Sequence, residues 1–449
     1  MSSYEGRKVL LLGSGFVTKP TVELLAKAGV QVTVACRTLE SAQKLCAGIP
    51  NTTPISLDVN NSEALDAELS KNDLAVSLIP YIHHATVIKS AIRTKKNVVT
   101  TSYVSPAMME LDEEAKKAGI TVMNEIGLDP GIDHLYAVKT IEEVHAAGGK
   151  ITSFLSYCGG LPAPEASDNP LGYKFSWSSR GVLLALRNAA KYYKDGKIES
   201  VSGPELMGTA QPYFIYPGYA FVAYPNRDST AYKERYNIPE AETVIRGTLR
   251  YQGFPQMIRS LVDIGFLEDD EKDFLKSPIP WKQATQKILG ASSDSEKDLT
   301  WAISSKTKFA DTEEKTRIIN GLRWIGLFSD EKITPRGNPL DTLCATLEAK
   351  MQYGPGERDM VMLQHRFGIE HKDGSKETRT STLVDYGDPN GYSAMAKLVG
   401  VPCAVAVKLV LDGTISEKGI LAPMTMDLCA PLIKTLKEEY DIEMIEKTL

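Results

Sequence analysis

The order of apolar and polar positions changes character once along this chain, near residue 125. Before it, short apolar runs alternate with stretches of helical period. Lys8–Leu12, Gln31–Cys36, Ile55–Leu57, Leu74–Ile79, Asn97–Thr101 and Thr121–Asn124 read as strands. Leu74–Ile79 is apolar but for Ser77, as expected of a strand buried on both faces. Helices lie between them. The first has Thr18 as its expected cap and Pro20 in its first turn. Leu39–Ala47 follows Thr38, then come Ser62–Leu69 and Ala85–Thr94, and a last helix runs from Ser105-Pro106 to Ala118, before Gly119. Such alternation requires right-handed crossovers and a parallel sheet.

After Asn124 the rhythm is different. Gly127–Gly131 reads as a loop, with Asp133 capping a helix to Ala147. Strand-like stretches then recur with long connections: Ile151–Cys158, Thr243–Tyr251, Met360–His371 and Thr378–Tyr386. Asp373-Gly374 between the last two is a hairpin signal. A largely antiparallel sheet follows. Residues 255–335 are charged and helical in pattern, with no convincing strand, and Tyr392–Leu411 and Asp427–Tyr440 are helical again. The expected fold is α/β: a Rossmann-type doubly wound parallel-sheet domain plus an α+β substrate domain with an all-helical insertion. Its boundaries fall at 1–130 for the first domain, 131–254 and 336–390 for the second, and 255–335 for the insertion.

Composition narrows the function classes. A length of 449 residues, 43% apolar and 24% charged, supports two or three domains with ordinary cores. A net charge of −6 argues against a nucleic-acid partner. The six cysteines are scattered and form no CxxC, which fits reduced thiols and a cytoplasmic protein. Arg7-Lys8 followed by Val9–Leu12 is too short for a signal peptide, and the apolar stretch near Cys403–Leu411 carries Lys408, so no membrane partner is expected. No metal is expected either: His83 and His84 are adjacent and point apart. His365 and His371 share a strand face that reads as solvated.

The strongest local motif is Gly13-Ser14-Gly15-Phe16-Val17, between a strand and a helix. Gly13 suits the tight turn, and Gly15 lets the backbone approach a pyrophosphate on the helix N-terminus. The third glycine of the full dinucleotide fingerprint is absent. The second strand ends Cys36-Arg37-Thr38, where an NAD site usually has an acidic residue. Arg37 instead suits a 2′-phosphate. A charge-assisted bond of roughly 1.5–3 kcal/mol amounts to about 10- to 100-fold in favour of NADP(H). The alternative is a solvated arginine at a helix start. Other strand ends nominate Asp58 for the adenine amine, Ile79 and His84 near the ribose, and Thr100, Thr101, Ser102 and Tyr103 nearer the nicotinamide.

With these residues placed, the chain resembles the saccharopine dehydrogenase/reductase family over nearly its whole length. The resemblance rests on Val9–Val17 with Pro20, on Thr101-Ser102-Tyr103, on Glu125–His134, on Asn169–Ser178 and on Arg246–Tyr251. It implies an NADPH-dependent reductase of lysine biosynthesis by the α-aminoadipate route, joining aminoadipate semialdehyde to glutamate to give saccharopine. It implies a homodimer, and C-terminal helices (391–449) that return to the Rossmann domain. It adds Leu128, Asp129, Pro130 and Gly131 to the cofactor contacts. Dehydration of a carbinolamine needs a proton donor, for which Asp129, Tyr103 and Cys158 are candidates. Each has a plainer reading: a turn residue, a packed strand end and a small buried hydrophobe. Three substrate carboxylates call for arginines and hydroxyls. Arg227 comes first, then Arg246 and Thr248, with Ser102, Phe175 and Ser176 as walls. Rival readings are a reductase for another amine and a non-catalytic NADP sensor.

Overall fold

The structure is a computed structural model that describes residues 4–449. Its strands, in chain order, are β1 Lys8–Leu12, β2 Gln31–Cys36, β3 Thr52–Ser56, β4 Leu74–Ser77, β5 Asn97–Thr100, β6 Thr121–Met123, β7 Lys150–Pro162, β8 Ala190–Lys194, β9 Lys197–Val201, β10 Gln211–Pro212, β11 Phe221–Pro225, β12 Thr243–Tyr251, β13 Asp359–Glu370, β14 Lys376–Tyr386, β15 Gly419–Leu421 and β16 Ile445–Thr448. The chain divides into two compact units: Met1–Lys150 with Ile369–Leu383 and Gly391–Leu449, and Ile151–Gly368 with Val384–Asn390.

The first unit holds a parallel sheet of order β15-β6-β5-β4-β1-β2-β3. That is the doubly wound order, extended at one edge by a strand from the far end of the chain. Leu74–Ser77 and Val9–Leu12 are buried throughout, since helices cover both faces. The long helix Ala394–Leu411 lies against the helix Lys19–Lys27, where Thr21 Oγ1 donates to Gly400 O at 2.9 Å. A Cβ at Gly400 would stand 2.9 Å from Pro20, so only glycine permits this approach. Ala394–Leu411 is long and apolar enough to cross a membrane, yet most of it is buried inside the protein.

The second sheet runs β10-β11-β12-β7-β13-β14-β16, with β8 pairing to β12 and β9. Its β12–β7 pair is parallel while β10–β11 and β11–β12 are antiparallel. The hairpin at Asp373-Gly374 is present, with Gly374 at φ 84° and the Asp373 carboxylate accepting from Ser375 N. Residues 254–325 carry helices: Phe254–Asp263, Trp281–Leu289, Glu296–Lys306 and Thr312–Ile325.

Several local expectations change. The helix expected from Ser105-Pro106 to Ala118 is broken into Pro106–Met109 and Asp112–Ala118. Thr18 and Thr38 stand at their helix starts without a side-chain cap bond. The helix expected to be capped by Asp133 begins at Ile132, and the Asp133 carboxylate instead accepts from Gly131 N at 2.7 Å. Compactness groups that helix with the first unit rather than the second. His365 is fully buried, its ring 5.3 Å from that of Phe154, and not solvated. The side-chain period of the strand was right; the β13 face it occupies is simply interior.

Candidate active site

The glycine turn is built as the motif requires. Gly13 has φ 111°, and a Cβ there would stand 2.6 Å from Leu78 O and 3.4 Å from Ile79 Cγ2. Both the dihedral and the space therefore demand glycine. A Cβ at Gly15 would meet nothing within 4 Å, so that stretch of backbone is open to a ligand. Ser14 and Gly15 are exposed, Phe16 is 60% exposed, and Val17 is half-buried. The helix Lys19–Lys27 starts immediately after, with Pro20 in its first turn and no acidic residue there. Its unbonded N–H groups suit phosphate oxygens.

At the end of β2, Cys36 is buried while Arg37 and Thr38 are exposed. Arg37 has no ion-pair partner among the described residues, and its carbonyl accepts from Ser56 Oγ at 2.9 Å. An exposed guanidinium with no carboxylate in reach fits a 2′-phosphate. Asp58, exposed past β3, ties its own loop by accepting from Asn60 N and Nδ2, both at 3.0 Å.

His84 is not a surface residue of this crevice. It is fully buried, with Nδ1 2.8 Å from Ser77 Oγ and Nε2 2.8 Å from Ser102 Oγ. Burial, and to a lesser degree His83, pushes its pKa down to about 4. The expectation of a ribose contact is corrected: a neutral imidazole braces Ser102 from behind. Thr100 is also buried. Its hydroxyl donates to Asn124 Oδ1 at 3.2 Å and accepts from Ser102 N at 3.3 Å. Thr101 and Ser102 are half-buried beyond it.

The Gly127–Gly131 loop brings two of the three expected proton donors together. The Tyr103 hydroxyl donates to Asp129 Oδ1 at 2.6 Å, and both residues are half-buried. The Asp129–Pro130 peptide is cis. A Cβ at Gly131, φ 148°, would fall 2.0 Å from Gly127 O, so the loop folds back on itself more closely than a side chain allows. Leu128 and Pro130 are buried in it.

In the second unit, β7, β11 and β12 present one set of side chains on a common face. Register pairs Arg246 with Ser156 and Thr248 with Cys158 on one side, and Thr248 with Tyr224 and Arg250 with Val222 on the other. Residues two apart share a face, so Cys158, Arg246, Thr248 and Arg250 stand together. A Cβ on Gly247, facing the opposite way, would meet Tyr224 O at 2.3 Å and the Tyr157 ring at 2.6 Å. The glycine of Arg-Gly-Thr is thus required by the back of the sheet. Arg246 and Arg250 are each 7% exposed. Arg246 stacks 4.2 Å over the Tyr232 ring.

Arg250 is the residue that motif reading passed over. Its guanidinium lies 4.7 Å over Tyr173 and 5.4 Å over Phe254, and one nitrogen donates to Leu249 O at 2.7 Å. Its Nε has no partner, and no carboxylate pairs with it among the described residues. A buried cation without a counter-ion is costly, and an anionic ligand would supply one. The signal was present, as the third member of an Arg-x-Thr-x-Arg alternation. Ser176 is likewise buried with an unpartnered hydroxyl. Phe175 lies in the core instead, edge-on to Tyr173 at 5.7 Å. Arg227 is exposed, in a left-handed turn at φ 56°. Cys158 is half-buried.

A doubly wound sheet, a glycine turn and an arginine past the second strand define an NADP-binding Rossmann-type oxidoreductase. Residues 9–123 match the saccharopine dehydrogenase NADP binding domain, and residues 127–442 match the saccharopine dehydrogenase C-terminal domain. The chain belongs to the saccharopine dehydrogenase family. It is 73% identical, over 99% of both chains, to the saccharopine dehydrogenase [NADP(+), L-glutamate-forming] of Pyricularia oryzae. The protein of that name from Saccharomyces cerevisiae is 64% identical over 99% of this chain and 100% of its own. The solved apo structure of the L-Glu-forming saccharopine dehydrogenase from Saccharomyces cerevisiae superimposes with a TM-score of 0.92 at 64% identity, covering 99% of this chain and 100% of that one.

Proposed function

We propose that this protein catalyses the NADPH-dependent condensation of L-2-aminoadipate 6-semialdehyde with L-glutamate to saccharopine, and the reverse oxidation, in lysine biosynthesis. The observation that carries the mechanism is the hydrogen bond from Tyr103 to Asp129. An amine adding to an aldehyde gives a carbinolamine, which must lose water before reduction. That step moves a proton from nitrogen to the departing oxygen. Asp129 takes the proton from the attacking amine and returns it to the hydroxyl that leaves as water. Tyr103 fixes Oδ1 and so the orientation of the carboxylate.

The Gly13–Val17 turn and Arg37, between Cys36 and Thr38, would hold NADP(H). When bound, NADPH would supply the hydride that reduces the imine carbon, while the imine nitrogen takes its proton from solvent. Arg250 and Arg246, with Thr248 and Ser176, would take substrate carboxylates. A cytoplasmic homodimer is part of the same proposal. The family resemblance supports the dimer, and six free cysteines fit a reducing compartment. Light scattering on the purified chain checks the dimer, and fractionation checks the compartment.

The deciding experiment follows NADPH oxidation with both substrates present and each omitted in turn. Turnover that needs both upholds the reading. Protein that binds NADPH but turns over no aldehyde–glutamate pair overturns it.

A further inference from the structure

Behind the Tyr103–Asp129 pair lies a cluster of three ionisable side chains that the reaction itself does not use. Glu125, Asp133 and His134 are all 0% exposed. His134 Nε2 stands 2.7 Å from Glu125 Oε2, and its Nδ1 stands 3.6 Å from Asp133 Oδ2. Each carboxylate uses its second oxygen on a backbone amide. Glu125 Oε1 accepts from Val104 N at 3.0 Å, and Asp133 Oδ1 accepts from Gly131 N at 2.7 Å. Glu125 also sits at φ 59°, the left-handed region that a side chain adopts at some strain. Burying two carboxylates and bending one backbone is a poor way to gain stability, since apolar residues fill such a space at lower cost.

The two amides show what the cluster holds. Val104 directly follows Tyr103, and Gly131 closes the loop that carries Asp129. The cluster is therefore a rigid bridge between the two chain segments whose tips must meet within hydrogen-bond distance. We propose that Glu125, Asp133 and His134 are positioning residues that set the Tyr103 hydroxyl on the Asp129 carboxylate. The inference rests on the acid–base reading of that pair.

The test is a double-mutant cycle in the full-length protein, pairing Glu125→Gln with Tyr103→Phe. Glu125→Gln alone should lower kcat about 10- to 100-fold, as loss of alignment does. NADPH affinity and the KM for glutamate should move by less than about threefold. In the Tyr103→Phe background the same change should cost less than about threefold, because the group it aligns is already gone. Losses that multiply, or an unchanged kcat for Glu125→Gln, overturn the inference. A general weakening of the fold would multiply in this way. A Tyr103→Phe protein as fast as the parent overturns the acid–base reading instead. Asp133→Asn, at the other end of the bridge, is run through the same cycle with the same two outcomes, so the test stands if Glu125→Gln does not fold.

Discussion

The two units build their chemistry in opposite ways. In the first, functional groups stand on loops beyond strand ends, and backbone geometry shapes them: Gly13 and Gly131 where a Cβ would collide, and buried carboxylates that hold amides. In the second, they stand in mid-strand on a sheet face, and side-chain burial shapes them: Arg246, Thr248 and Arg250 alternate along β12 beside Cys158. A loop site is specified by residues that nothing else can replace. A sheet-face site is specified by which neighbour lies opposite, and the cost of burying charge makes it visible.

The contrast is most exposed at Arg250. Arg250→Met should lower kcat/KM by about 10²- to 10⁴-fold at saturating NADPH, the worth of two charge-assisted bonds to a carboxylate. Its melting temperature should hold or rise, because an unpaired buried cation is removed. Full activity would leave Arg250 a structural cation on the Tyr173 and Phe254 rings.

On the loop side, His84 links stability to pH. Its pKa is depressed from 6.5 to about 4. Between those values the unfolded chain binds a proton that the folded chain refuses, so stability falls as pH drops through that window, by up to about 3 kcal/mol. Urea unfolding of the parent and His84→Gln at the two ends of the window should show a shallower fall for the variant. Equal falls would assign the acid sensitivity to other groups.

Arg37→Ala should raise the KM for NADPH about 10- to 100-fold and leave that for NADH nearly unchanged. Equal losses with both cofactors remove Arg37 from the 2′-phosphate. The smallest effect is expected at Cys158, which shares a face with Thr248 and lies outside the proton path proposed through Asp129. Cys158→Ser should change kcat by less than about threefold without altering its pH profile. A larger loss would move the proton donor to the sheet face.

Much of this was legible beforehand. Strand–helix alternation up to Asn124 defined the doubly wound sheet, and Gly13, Gly15 and Arg37 pointed to the cofactor, because each follows from local covalent geometry or from a charge at a known strand end. Harder to read were short or continuously apolar strands such as β11 and β15. The first lacks alternation, and the second exists only because the chain returns to pair with β6. His84 was misplaced for a related reason: its position after β4 was right, but whether a side chain turns toward the crevice or into the core is decided by Ser77, at the end of β4, and Ser102, in the bend after β5.

What the sequence determined by itself was therefore everything set within about one turn or one strand: the glycine turn, the strand and helix periods, the hairpin, and the alternation that puts Arg246, Thr248 and Arg250 on one face. What only the tertiary structure decided was which of these groups meet. Tyr103 reaches Asp129 across 26 residues of chain, and Glu125 braces Val104 across 21. Such pairs form because packing brings distant segments into contact and the desolvated groups must then find partners, a demand that no local pattern encodes.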